Sequence, residues 1–152
     1  MNLTQPDPSL RAAPPIDDCL LSSAGAGFGD PETNALVEKA AVDFVTAKFS
    51  GWHVEDVSEE NLGYDLRCSR GSETRHVEVT GVKGGQEEFI ITRNELQTSE
   101  TDPDFVLAVV TRARTEVPSL REYSGPAMRE HFGFTPIAFR AQIQSTAEPG
   151  SD

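Results

Sequence analysis

Residues 63–81, GYDLRCSRGSETRHVEVTG, decide the fold. From Tyr64 to Ser69 the residues alternate. Tyr64, Leu66 and Cys68 point one way, and Asp65 and Arg67 the other, as in a half-buried strand. The RGSE stretch, with Gly71, suits a hairpin. Thr74–Gly81 then returns with Val77 and Val79 on one side and His76, Glu78 and Thr80 on the other. If the two strands pair through Gly71, a register exists that sets the carboxyls of Asp65 and Glu78 side by side.

Working outward, Asp30-Pro31 marks a helix start, because Asp is a favoured cap and Pro suits the first helical position. Leu36, Val37, Ala40, Ala41, Phe44, Val45 and Phe49 recur at three- and four-residue steps, giving one apolar face to about Phe49. Gly51 is placed to end the helix. WHVEDV (residues 52–57) alternates as a strand, and Asn61 with Gly63 makes a turn. Beyond Gly81–Gly85, a Gly-rich turn, a strand is expected at Phe89–Ile91. Thr92 and Glu95 form a capping box that opens a short helix. Phe105–Val110 is continuously apolar and reads as a strand buried on both faces. A short helix around Pro126–His131 and a last strand, Ile137–Ile143, complete the body, residues 30–144. The order α-β-β-β-β-α-β-α-β implies an α/β domain with a mixed sheet flanked by helices. Residues 1–29 are rich in Pro, Ala, Ser, Gly and Asp and read as a flexible tail or linker. Residues 145–152 read as a second tail.

Asp65 and Glu78 are the residues that could carry chemistry. Two adjacent carboxylates repel unless a proton or cation lies between them. Hard ions such as Mg²⁺ favour oxygen ligands of this kind and keep water and phosphate in their remaining positions. By spacing alone the pair fits equally the solvated face of a half-buried sheet. His76, on the side of Glu78, is a candidate substrate contact, with a plain surface histidine as its simpler reading. Trp52 and Tyr64 read as packing residues rather than base-stacking platforms. His76-Val77-Glu78 mimics the H-x-E of zinc deaminases, but the P-C-x-x-C half is absent. His53 and His131 stand isolated, and neither Cys19 nor Cys68 has metal-ligand spacing.

The run NALVEKAAVDFV…GWHVEDVSEENLGYDLRCSRG…HVEVTG…ITRNEL closely resembles the domain family named after the C-terminal region of the protein NO VEIN. The likeness covers roughly residues 33–111, and its GYDL, HVEV and NEL pieces are the specific ones. That family is a domain of unknown function thought to adopt the restriction-endonuclease-like PD-(D/E)XK fold. The resemblance implies a metal-dependent endonuclease of a bacterial restriction or defence type. Asp65 would be its metal-binding aspartate, Glu78 the glutamate of the (D/E)XK pair, and Glu38 an extra acid from the first helix, together holding Mg²⁺ or Mn²⁺. The sequence departs from this pattern at Thr80, which stands where the motif lysine is expected. A neutral, short side chain supplies no cation there, and loss of one such stabiliser costs roughly 10²–10³ in rate. Lys83, in the Gly-rich turn, is the candidate substitute, and Arg93 a candidate phosphate contact. The alternative is a catalytically inactive module that keeps the nuclease fold to bind nucleic acid or protein.

A net charge of −12 argues against holding nucleic acid by bulk electrostatics. The segments before Thr33 and after Ser145 carry seven of the 25 acids and only one base, leaving 18 acids against 12 bases in the body. Three of those acids belong to the candidate metal site. The expected partner is nucleic acid, DNA before RNA, with a larger protein or a second copy of the chain as further candidates. No apolar run approaches the ~20 residues of a membrane span. With two cysteines and no secretory signature, a reduced, cytoplasmic setting and no bridge are expected.

Overall fold

The computed structural model describes residues 30–139 and 141–144. Both tails, with Cys19, lie outside them. Helix α1 (Pro31–Lys48) opens the fold; the Asp30 carboxylate accepts the Thr33 N–H, and Pro31 sits in the first turn. Val37, Ala41 and Val45 are buried at four-residue steps, whereas Leu36, expected on the same face, is half exposed. Phe49 caps the helix, and Gly51 turns the chain at φ 85°.

Five strands form one sheet: β1 (His53–Asp56), β2 (Leu66–Arg70), β3 (Glu73–Gly81), β4 (Phe105–Thr111) and β5 (Ser119–Ser124), in the spatial order β1-β2-β3-β4-β5. The first three run as an antiparallel meander. In the β2–β3 hairpin Arg70 faces Glu73, so Gly71, at φ 59°, and Ser72 make a two-residue turn. β4 lies parallel to β3, which requires a crossover. Helix α2 (Arg93–Thr101) supplies it, opened by the Thr92–Glu95 capping box. β5 returns antiparallel to β4 and leads into α3 (Gly125–His131).

β4 is buried along its whole length and feeds two cores. Val106, Ala108 and Val110 join Leu66, Cys68, Val77 and Val79 under Val37, Ala41 and Val45 of α1. Phe105, Leu107 and Val109 join Tyr123 and Met128, with Leu96 of α2 and Ala127 of α3 packed against them. The sheet thus lies between α1 and the α2/α3 layer. Because Glu78 is the Cα partner of Leu107, and Thr80 of Val109, both belong to the α2/α3 side.

Three expectations are corrected. Phe89–Ile91 is no strand; Phe89 and Ile91 pack against the second core, so their apolar character reflects burial without a ladder partner. β5 had no counterpart in the expected order. Its SLREYS sequence is mostly polar because an edge strand leaves much of its surface in water. Residues 137–139 and 141–143 form neither helix nor strand. An apolar run pairs only where a ladder is open to it, and β propensity reflects that context more than an intrinsic backbone preference. The described residues up to Gly133 belong to one compact unit, and those from Phe134 onward to another. Among the described residues no helix is long and apolar enough to cross a membrane.

Gly63, two residues before Asp65, has φ 87°, and a Cβ there would collide with the Thr98 hydroxyl of α2. Gly63→Ala is expected to destabilise the fold by about 1–3 kcal/mol, combining left-handed backbone strain with overpacking. Urea unfolding of the two proteins checks this; equal midpoints would refute it.

Candidate functional site: a cluster of acids around Glu78

The β2–β3 hairpin positions the central pair. Leu66 is the Cα partner of Val77, which brings Asp65 beside Glu78. Asp65 lies just before β2 yet is anchored to β3, its N–H donating to the Val77 carbonyl at 3.0 Å. Its carboxylate accepts the Val79 N–H at 2.9 Å. Those two bonds straddle Glu78, and the side chains meet: protonated Glu78 donates to the Asp65 carboxylate.

Burial governs the protonation of this group. Glu78 is only 7% exposed, and desolvation is the first cause of its pKa standing well above the usual carboxylate range. Asp65, Glu95 and Glu38 add repulsion. Asp65 is pushed up to about 6, again chiefly by burial, although the Val79 N–H pulls the other way. Glu38 of α1 rises to about 7 through burial and then the fields of Asp65 and Glu95. Among the described residues the charged side chains that shift these three are acids, with Asp56 contributing at Asp65.

Glu38, Asp65 and Glu78 therefore lie within reach of one another's fields. Glu95 belongs with them, and sequence reasoning did not place it there. The local spacing reveals it only as the capping partner of Thr92, a role it also fills by accepting the Thr92 N–H at 2.9 Å. Among the described residues no hydrogen bond or ion pair joins the remaining candidates to Glu38, Asp65 or Glu78. Thr80 is buried two residues along β3. Lys83 is exposed in the following turn, and Arg93 is exposed at the start of α2.

His76 is not a plain surface histidine. Its ring stacks on Tyr64 at 4.4 Å, and its Nδ1 meets Asp102 Oδ2 at 2.6 Å. Asp102 is 26 residues away in sequence, so no local spacing could reveal the pairing. Tyr64 is buried, and Trp52 packs against the first core beneath the Arg70 guanidinium. Among the described residues, the trio with ligand atoms mutually within 4.8 Å is His76, Asp102 and Asp104. Glu38, Asp65 and Glu78 adjoin one another electrostatically without closing to that spacing.

Fold and site together define a mixed α/β domain with a buried Glu78 carboxyl beside the half-buried Asp65 on its central hairpin. The chain belongs to the family described as Protein NO VEIN, C-terminal, whose model matches residues 37–122. Neither curated proteins nor solved structures give a match.

A raised carboxyl pKa has a definite sign for stability. The folded protein keeps protons that the unfolded chain releases, so without a bound cation stability falls as pH rises from about 4 through about 7, and the retained proton of Glu78 carries the fall beyond that. Asp65→Asn retains an oxygen for the Val79 N–H and removes one charge. In EDTA it is expected to gain roughly 1–3 kcal/mol over wild type at pH 8 and little at pH 4.5. Urea titrations at both pH values check the difference; an equal gain at both would refute the linkage.

Proposed function

We propose that this chain is a restriction-endonuclease-like PD-(D/E)XK domain that binds Mg²⁺ or Mn²⁺ at Asp65 and Glu78, with Glu38, and hydrolyses phosphodiester bonds in DNA slowly. The observation that carries this reading is the meeting of Asp65 and Glu78 across the β2–β3 hairpin, inside a group of acids. Oxygen donors, mutual repulsion and, among the described residues, the absence of a cation from the charges that shift them suit a hard divalent ion. A bound ion of this kind polarises a phosphate and lowers the pKa of an attacking water.

The chain's own side chains have separate tasks. Asp65 is held by the Val79 N–H, so its carboxylate is aimed before any ligand arrives. A cation beside Asp65 would be held by Glu78 in its ionised form, with Glu38 of α1 as the third acid of the set. Thr80 contributes no charge at the lysine position, which is why the activity proposed is slow. Lys83 and Arg93 are the cations proposed to meet the phosphate from the turn after β3 and the start of α2.

Mg²⁺ or Mn²⁺ is expected to bind at micromolar to millimolar concentration, and plasmid nicking to disappear in Asp65→Ala and in Glu78→Ala. If wild type and both variants treat DNA alike, the catalytic reading fails.

The burial of Thr80 favours a second reading, a module that keeps the nuclease fold for binding nucleic acid or protein. Thr80→Lys separates the two. If lysine alone is missing, metal-dependent cleavage should rise by roughly 10²–10³-fold. Metal binding without any rise would leave the binding role.

A further inference from the structure

A second constellation lies at the other end of β3 from Thr80. His76, Asp102 and Asp104 each offer one ligand atom, and these atoms all lie within 4.8 Å of one another. We propose that this trio is a binding site for a late first-row divalent ion of the zinc class, separate from the acids around Glu78.

The donors are one imidazole and two carboxylates. Mg²⁺ takes oxygen ligands and dehydrates reluctantly, whereas Zn²⁺ readily combines nitrogen with oxygen. Three protein ligands with room for water is also the pattern of open zinc sites. The Nδ1–Oδ2 contact of 2.6 Å now holds a hydrogen. An ion replacing that hydrogen would spread the two donors to about 3.4 Å, the donor separation of a tetrahedron with bonds near 2.1 Å. Such a change is a small side-chain rotation.

The backbone holds these donors in place. Asp102, the C-cap of α2, bonds its N–H to the Thr98 carbonyl at 2.9 Å. It precedes Pro103 and adopts the extended conformation that proline imposes on its neighbour, φ −103° and ψ 111°. Asp102 Oδ1 accepts the Asp104 N–H at 2.9 Å, leaving Oδ2 for His76. The Asp104 carbonyl accepts the His76 N–H at 2.9 Å, tying the two backbones together. Tyr64, stacked face to face on the imidazole with an 8° interplanar angle, fixes the ring.

Neutralisation points the same way. Two aspartates share this corner, and Arg67, the Cα partner of His76, turns elsewhere. Its guanidinium donates to the Tyr64 hydroxyl and to Glu55, both at 3.3 Å. A divalent ion supplies the charge that Arg67 withholds. Asp102 is 19% and Asp104 more than a third exposed, so the ion has an entry path.

The test uses Zn²⁺ alone, titrated calorimetrically into the metal-stripped full chain. Wild type is expected to bind one ion at this trio; any further uptake belongs to the acids around Glu78 and is removed by Glu78→Gln. Asp104→Ala, at an exposed position whose backbone bonds survive, should weaken binding about a hundredfold or more, beyond the roughly 10–100-fold that loss of an outer partner costs. His76→Gln should do the same, and Co²⁺ in wild type should give visible ligand-field bands that Asp104→Ala lacks. Glu78→Gln should keep the one ion that Asp104→Ala loses, whatever it loses at the acids, which makes the result independent of the proposed nuclease function. No zinc uptake, equal affinity in Asp104→Ala, or loss of that ion in Glu78→Gln would each overturn the site.

Discussion

Carboxyl groups removed from water must keep a proton, find a cation or repel one another. That constraint organises the centre of this domain. Asp65 and Glu78 face each other because the Gly71 hairpin puts Leu66 opposite Val77. Their burial comes from the layers on either side of the sheet. The proton they share is the least costly resolution without a cation, since desolvation of an ionised carboxyl is steep and a hydrogen-bonded acid pair recovers part of it. A cation would resolve the same conflict differently, and the same group can therefore serve as a binding site.

The surrounding packing is arranged to permit that conflict. Gly81 lets α1 approach β3 so closely that a Cβ would stand 2.7 Å from the Val37 carbonyl. Glu38 is the next residue on that helix, so close seating of α1 brings a third acid near the pair. On the opposite layer, the Thr92–Glu95 box starts α2 and brings in Glu95. Stability and site are thus linked. Residues that tighten the layers also concentrate negative charge.

A second hub shows the same logic in a milder form. Glu87 accepts the Tyr123 hydroxyl at 2.7 and 2.9 Å. Arg121 and His131 stand at 3.7 and 3.5 Å from the same carboxylate. Burial and this carboxylate push the Tyr123 phenol up to about 12. Here a guanidinium and an imidazole accompany the acid, and the arrangement fastens the segment before α2 to β5 and α3. Glu87 has such partners, whereas among the described residues the charged side chains that shift Glu78 are acids.

Much of this was legible in the amino-acid sequence, because local physics determines it. The α1 face, its Asp30-Pro31 start, the Gly71 hairpin and the Thr92–Glu95 box depend on residues within a few positions of one another. The two-residue period of 63–81 also sorted Glu78 and Thr80 from Val77 and Val79. What required the tertiary structure was every choice of partner. SLREYS became β5 because an edge beside β4 was open to it, while Phe89–Ile91 was buried without pairing. Glu95 joined the acids, and His76 found Asp102, across separations that leave no periodic trace. Hydrogen bonds and electrostatic fields act through space, so their partners are settled only when the layers have closed.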